Sequence, residues 1–133
     1  MPSNHPEERR QSPRLDANLQ ARLEFSALLR EADARASGVQ HMRAVAGHTL
    51  NVSAGGLAVV LHAQKIDEHY LSGGEGSMSI ELDLPNGGSV EIHATPVRYE
   101  KREDGYVIGA QISNISERDR ELFDEYLREL ATR

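Results

Sequence analysis

The sequence predicts a mainly β (α+β) fold: about six antiparallel strands joined by tight turns as a barrel or a sandwich, then a C-terminal α-helix, with a flexible N-terminal arm in front. Three observations predict it. Apolar and polar residues alternate over several separate stretches, the period of a half-buried strand. Short clusters of Gly, Pro, Asn and Ser separate those stretches, as tight turns do. Helical spacing of apolar residues replaces the alternation after Ser116.

Residues 1 to about 16 read as a polar tail with three prolines, Pro2, Pro6 and Pro13, and almost nothing to bury. Leu19, Ala21, Leu23 and Phe25 then alternate with Gln20, Arg22 and Glu24, which predicts the first strand. Leu28 to Ala36 are good helix formers that stop at Gly38, and read as a helical turn or a long hairpin excursion. A second strand is expected from His41 to Leu50, a turn over Asn51–Gly56, and a short apolar strand over Leu57–Leu61. Ser72–Gly76 is a further turn. Met78, Ile80, Leu82 and Leu84 alternate into a strand that ends at the hairpin signal Pro85-Asn-Gly-Gly88. Val90, Ile92 and Ala94 begin the next strand; Pro96 marks a bulge or an edge position, and Val97 and Tyr99 continue beyond it. Glu103-Asp-Gly105 turns the chain into the last strand, Tyr106 to Ile112. Ser116 is placed as a helix N-cap, with Asp119 three residues on as a capping-box variant. Leu122, Phe123, Tyr126, Leu127 and Leu130 form one apolar stripe, expected to lie on the sheet as core.

A chain of 133 residues fits one domain. Residues 1–8 are expected to be a disordered tail, and 9–133 one domain that includes an arginine-rich arm. Fifteen basic against 21 acidic side chains leave a net charge of −6, the wrong sign for a non-specific binder of nucleic acid polymers. Two Phe, four Tyr and no Trp are few platforms for stacking single-stranded bases. No apolar run spans a membrane, and the polar start MPSNHPEERR is not a secretory signal, so a cytoplasmic location is expected. Cysteine is absent, and the histidines at 5, 41, 48, 62, 69 and 93 show no metal-ligand spacing such as His-x-x-x-His. Gly73-Gly-Glu-Gly76 reads as a flexible turn.

Two features are hard to explain as scaffold. One is Arg10-Gln-Ser-Pro-Arg14, preceded by Arg9; the other is Asn51-Val-Ser53-Ala-Gly-Gly56, a polar turn between apolar strands. A guanidinium is a planar fork of donors that matches phosphate oxygens and the O6 and N7 acceptors of guanine. An asparagine amide and a serine hydroxyl can serve guanine's mixed polar edge, and glycine lets a ligand approach the backbone. No nucleophile with an evident base, Walker loop or metal cluster accompanies them, so the chain does not read as an enzyme.

In order and spacing these residues resemble the PilZ domain family of cyclic di-GMP receptors, whose pattern is Arg-x-x-x-Arg near the domain start and Asp-or-Asn-x-Ser-x-x-Gly after the second strand. Arg10 and Arg14 match the first part; Asn51, Ser53 and Gly56 match the second. The resemblance extends over about residues 8 to 130, and through Tyr106–Ile112 into the terminal helix. It implies a six-stranded antiparallel β-barrel with a C-terminal α-helix, with Arg10 and Arg14 gripping guanine and phosphate, Asn51 and Ser53 reading a guanine, and Gly56 keeping the turn open. An arginine just before the motif, here Arg9, is associated in the family with an intercalated pair of ligands, which implies two cyclic di-GMP molecules per chain. Asn51 stands where many members carry aspartate, and a neutral amide lacks the carboxylate's charge-assisted bond. The implied function is a receptor that relays cyclic di-GMP binding to an unidentified downstream protein, without a cofactor. The alternative is a PilZ-like adaptor that binds no nucleotide and works through protein contacts in motility or secretion.

Overall fold

The computed structural model describes residues 13–28, 39–41, 45–62 and 76–132. Of the excursion expected at 28–36 only Leu28 is described, while the Ser72–Gly76 turn before its last residue and both Arg9 and Arg10 lie outside the described residues.

Eight strands are described: β1 (Leu15–Asp16), β2 (Gln20–Leu28), β3 (Val39–His41), β4 (Val45–Val52), β5 (Gly56–Leu61), β6 (Gly76–Asp83), β7 (Ser89–Arg102) and β8 (Gly105–Ile115), followed by helix α1 (Glu117–Ala131). Six of them, in the order β4-β5-β8-β7-β6-β2, close into an antiparallel barrel when β2 pairs back onto β4 through Gln20↔His48 to Leu23↔Val45. β1 extends β4, and β3 extends β2.

The alternation read from the sequence sets the inside. Leu19, Ala21, Leu23 and Phe25 are buried, as are Met78, Ile80, Leu82, Leu84, Val90, Ile92 and Ala94. β5 departs from alternation: Leu57, Ala58, Val59 and Leu61 are all buried. Pro96 does sit at a bulge, because the β7–β8 register shifts between Pro96 and Arg98 and leaves Val97 56% exposed. The Pro85–Gly88 hairpin closes as expected, with Gly87 N–H donating to Leu84 O and Gly87 at φ +98°, a conformation that glycine adopts without strain.

Ser116 caps α1, its hydroxyl accepting from the Asp119 amide at 3.1 Å. The Asp119 carboxylate does not complete a capping box. It accepts from the Glu91 amide of β7 at 3.1 Å and so ties the helix start to the barrel. Phe123 and Tyr126 are buried, while Leu122 and Tyr126 share a groove with Leu84, Pro85 and Asn86. The helix therefore closes the barrel end where the β4–β5 and β6–β7 turns lie.

Two differences from the expected boundaries bear on the site. The polar tail ends earlier, since Leu15 and Asp16 pair with Val52 and Asn51. The pairing needs no apolar run, because backbone hydrogen bonds and one hydroxyl supply it: Thr49 Oγ1 donates to Ala17 O at 2.6 Å and accepts from the Leu19 amide at 2.9 Å. Asn51 and Val52 belong to β4 rather than to the turn, opposite Ala58 and Leu57 of β5. The register shift between Thr49 and Asn51 leaves Leu50 as the extra residue, 40% exposed. Among the described residues no helix is long and apolar enough to cross a membrane.

Candidate functional site

The two motifs meet on the outer face where β1 crosses β4. Arg14, just before β1, donates from Nη1 to Asn51 Oδ1 at 2.9 Å across 37 residues of sequence. Arginine can only donate, so the atom facing it must be the amide oxygen, and the Asn51 Nδ2 group points elsewhere as a donor. Asp16 stands directly across from Asn51 in the β1–β4 register. Arg14, Asp16 and Asn51 thus share one face of the two-strand ribbon.

Ser53 is buried, and its hydroxyl works inside the turn. It donates to Gly56 O at 3.0 Å and accepts from Gly56 N–H at 3.1 Å, while the Ser53 amide donates to the same carbonyl at 2.8 Å. The arrangement fixes the turn that ends β4 and starts β5. Gly56 has a packing reason to be glycine: a Cβ there would lie 2.6 Å from Ala110 O on β8. Close approach of β5 to β8 therefore suffices to account for this residue.

Sequence reasoning missed three contributors. Thr49 straps residues 17–19 onto β4. Asp16 joins the site by register. Arg120, in the first turn of α1, donates to Ala54 O at 2.9 Å within the Ser53–Gly56 turn, and its Nη1 lies 3.4 Å from Asp124 Oδ1. Nothing in spacing flags Arg120. For Asp16 the signal was its place two residues after Arg14, which puts both side chains on one face of any strand.

A cleft of about 310 Å³ beside the β1–β4 ribbon is lined by Asp16, Ala17, Asn18, His48, Thr49 and Leu50. A second depression, about 230 Å³, lies on the β2–β6–β7 wall among Arg22, Leu23, Glu24, Ser79, Glu81 and Glu91. Arg22 is hydrogen-bonded to Glu81 there. Three carboxylates around one bound arginine repel an anion, so the first cleft is the better place for a phosphate-bearing ligand. Among the described residues no three His, Cys, Asp or Glu side chains gather as a metal site.

A six-stranded barrel capped by a helix, with an arginine held against an Asn-x-Ser-x-x-Gly segment, defines the class of fold and site. The chain belongs to the PilZ domain family, whose model matches residues 8–129. No curated protein sequence matches it. Among solved structures it is similar to the Bacillus subtilis inhibitor of motility MotI/DgrA, at 25% identity and a TM-score of 0.64 over 94% of this chain and 53% of that one. It is also similar to the PilZ domain of Escherichia coli YcgR, solved with c-di-GMP, at 14% identity and a TM-score of 0.62 over 93% of this chain and 92% of that one. K. pneumonia MrkH in its apo state matches at 16% identity and a TM-score of 0.61, over 98% of this chain and 53% of that one. The chain thus spans about half the length of MotI/DgrA and of MrkH.

Proposed function

We propose that this chain is a cyclic di-GMP receptor rather than an enzyme, with Arg9, Arg10 and Arg14 holding phosphate and guanine edges, and with Asn51 reading a guanine beside the Ser53–Gly56 turn. The observation that carries the reading is the Arg14–Asn51 hydrogen bond, which joins the halves of the motif pair in one place. Membership of the PilZ family supports it, as does the fold shared with the c-di-GMP-bound domain of YcgR. Titration calorimetry tests it. Cyclic di-GMP is expected to bind at least about tenfold more tightly than cyclic di-AMP, because adenine presents an amino donor where guanine presents O6, and a lost bidentate contact costs about 1–3 kcal/mol per base. Two ligands per chain are proposed on the strength of Arg9, and the same titration gives the ratio. Equal affinity for the two dinucleotides would sink the reading, and no binding of either would leave the adaptor function in its place.

The relay to a protein partner is proposed to run through the arm. Residues 14–16 already lie on β4, so ordering by ligand is proposed for the part of the arm that carries Arg9 and Arg10. Fixing those residues costs roughly 1–2 kcal/mol each, similar to the return from a few charge-assisted bonds at about 1.5–3 kcal/mol each. Trypsin cleavage after Arg9 and Arg10 is therefore expected to slow under saturating cyclic di-GMP. Unchanged cleavage rates would rule out ordering as the relay even with binding established.

A further inference from the structure

We infer that Asp16 is a specificity residue of this site, its carboxylate accepting the N1–H and N2–H donors of a guanine base. The inference rests on the cyclic di-GMP reading above and starts from a shortage of acceptors. Guanine's Watson–Crick edge carries two neighbouring N–H donors beside the O6 acceptor, and O6 and N7 together form a second, acceptor-only edge. Arg14 supplies only donors. Asn51 Oδ1 already accepts from Arg14 and keeps one lone pair, beside the two N–H donors of its amide. The Ser53 hydroxyl is buried and engaged with Gly56 on both sides. The groups named so far can therefore satisfy O6, N7 and phosphate oxygens, but they offer at most one free acceptor position, on Asn51 Oδ1, for the two neighbouring donors N1–H and N2–H.

Asp16 fills that gap by position and chemistry. It is the Cα partner of Asn51 across the β1–β4 ladder, so its carboxylate lies on the same face as Arg14 and Asn51. It is exposed, and among the described residues no salt bridge includes it. It lines the cleft of about 310 Å³ with His48 and Leu50, at the lower end of the roughly 300–1,000 Å³ of small-molecule sites. Leu50, pushed outward by the β4 bulge and 40% exposed, adds an apolar wall for a ring. Two carboxylate oxygens match two parallel N–H donors, a charge-assisted pair. The negative charge that the amide at position 51 cannot supply thus stands one strand over. A carboxylate also repels phosphates, so its effect falls on which base is accepted more than on total affinity.

The test titrates the parent chain, Asp16→Asn and Asp16→Ala with cyclic di-GMP and with cyclic di-IMP, whose hypoxanthine bases lack the 2-amino group. Asp16 is exposed and its pairing is through backbone, so thermal melting is expected to confirm that both variants fold. The parent is expected to prefer cyclic di-GMP by about tenfold or more, one charged hydrogen bond's worth. Asp16→Ala is expected to bring that preference close to one, with Asp16→Asn between. A preference that survives in Asp16→Ala, or that is already absent in the parent, overturns the inference while leaving the receptor reading intact. So does a variant that binds both ligands more tightly by one common factor, since that is relief of repulsion alone. A parent chain that binds neither dinucleotide fails the receptor reading, and the inference with it.

Discussion

Arg14→Ala and Arg10→Ala are each expected to weaken cyclic di-GMP binding by roughly a hundredfold or more. An arginine fork makes about two charge-assisted hydrogen bonds, each worth about 1.5–3 kcal/mol, and every 1.4 kcal/mol is about tenfold in affinity. Arg14→Lys is expected to recover little, because an ammonium is a point donor without the planar fork. The melting temperature of ligand-free Arg14→Ala should stay near that of the parent. The Arg14–Asn51 bond is exposed, and exposed pairs of this kind contribute at most about 1 kcal/mol. What positions β1 is backbone pairing and Thr49, neither of which the substitution touches. Calorimetry and thermal melting on the same samples separate the cases: a variant that melts well below the parent would make Arg14 structural and the proposed role wrong.

Phe123→Ala is the substitution expected to cost the most stability, about 3–5 kcal/mol, as for other buried aromatic truncations. Phe123 is fully buried in the core cluster beside Tyr126, at the barrel end that α1 closes. Its ring is the largest apolar group by which the helix holds the barrel, and a methyl group in its place leaves a cavity that the surrounding strands cannot collapse to fill. Urea unfolding followed by circular dichroism measures the loss. A midpoint matching the parent's would mean that the helix is not part of the core, and that its apolar stripe serves some other surface.

Most of the barrel was legible because half-buried strands write their two faces into alternate residues. Leu19–Phe25, Met78–Leu84 and Val90–Ala94 each carry that record, and all their predicted inward positions are buried. The Pro85–Gly88 turn and the Ser116 cap were legible for a different reason: each demands a particular backbone geometry that few residue types supply. Both halves of the motif could be read from residue type and spacing, yet their meeting could not. β1 is two residues of polar backbone pairing with no hydrophobic pattern, and its strap, Thr49, looks like any strand threonine. The bulge at Leu50 hides in the same way, since that one-residue slip follows from how β1, β2 and β5 share β4 rather than from the residues at the slip. Gly56 was assigned a role from its motif position, whereas its observed constraint, the approach of Ala110 O, comes from a strand more than fifty residues away in the chain. Contacts such as Arg120 to Ala54 depend on where the helix finally rests, which no local pattern encodes.

Barrel closure also limits how another protein can dock here. At the seam, β4 gives Val45–His48 to β2 and Asn51–Val52 to β1, while β2 gives Gln20–Leu23 to β4 and Ser26–Leu28 to β3. Nearly all the seam-side backbone of both strands is therefore taken, and among the described residues the outermost strands are two and three residues long. Such short edges are poor templates for an added strand, which protects the barrel against edge-to-edge aggregation even when it is concentrated. A partner meeting these described edges would not readily join the sheet by β-augmentation. There it would recognise side chains, so its specificity would be set by surface chemistry rather than by main-chain pairing.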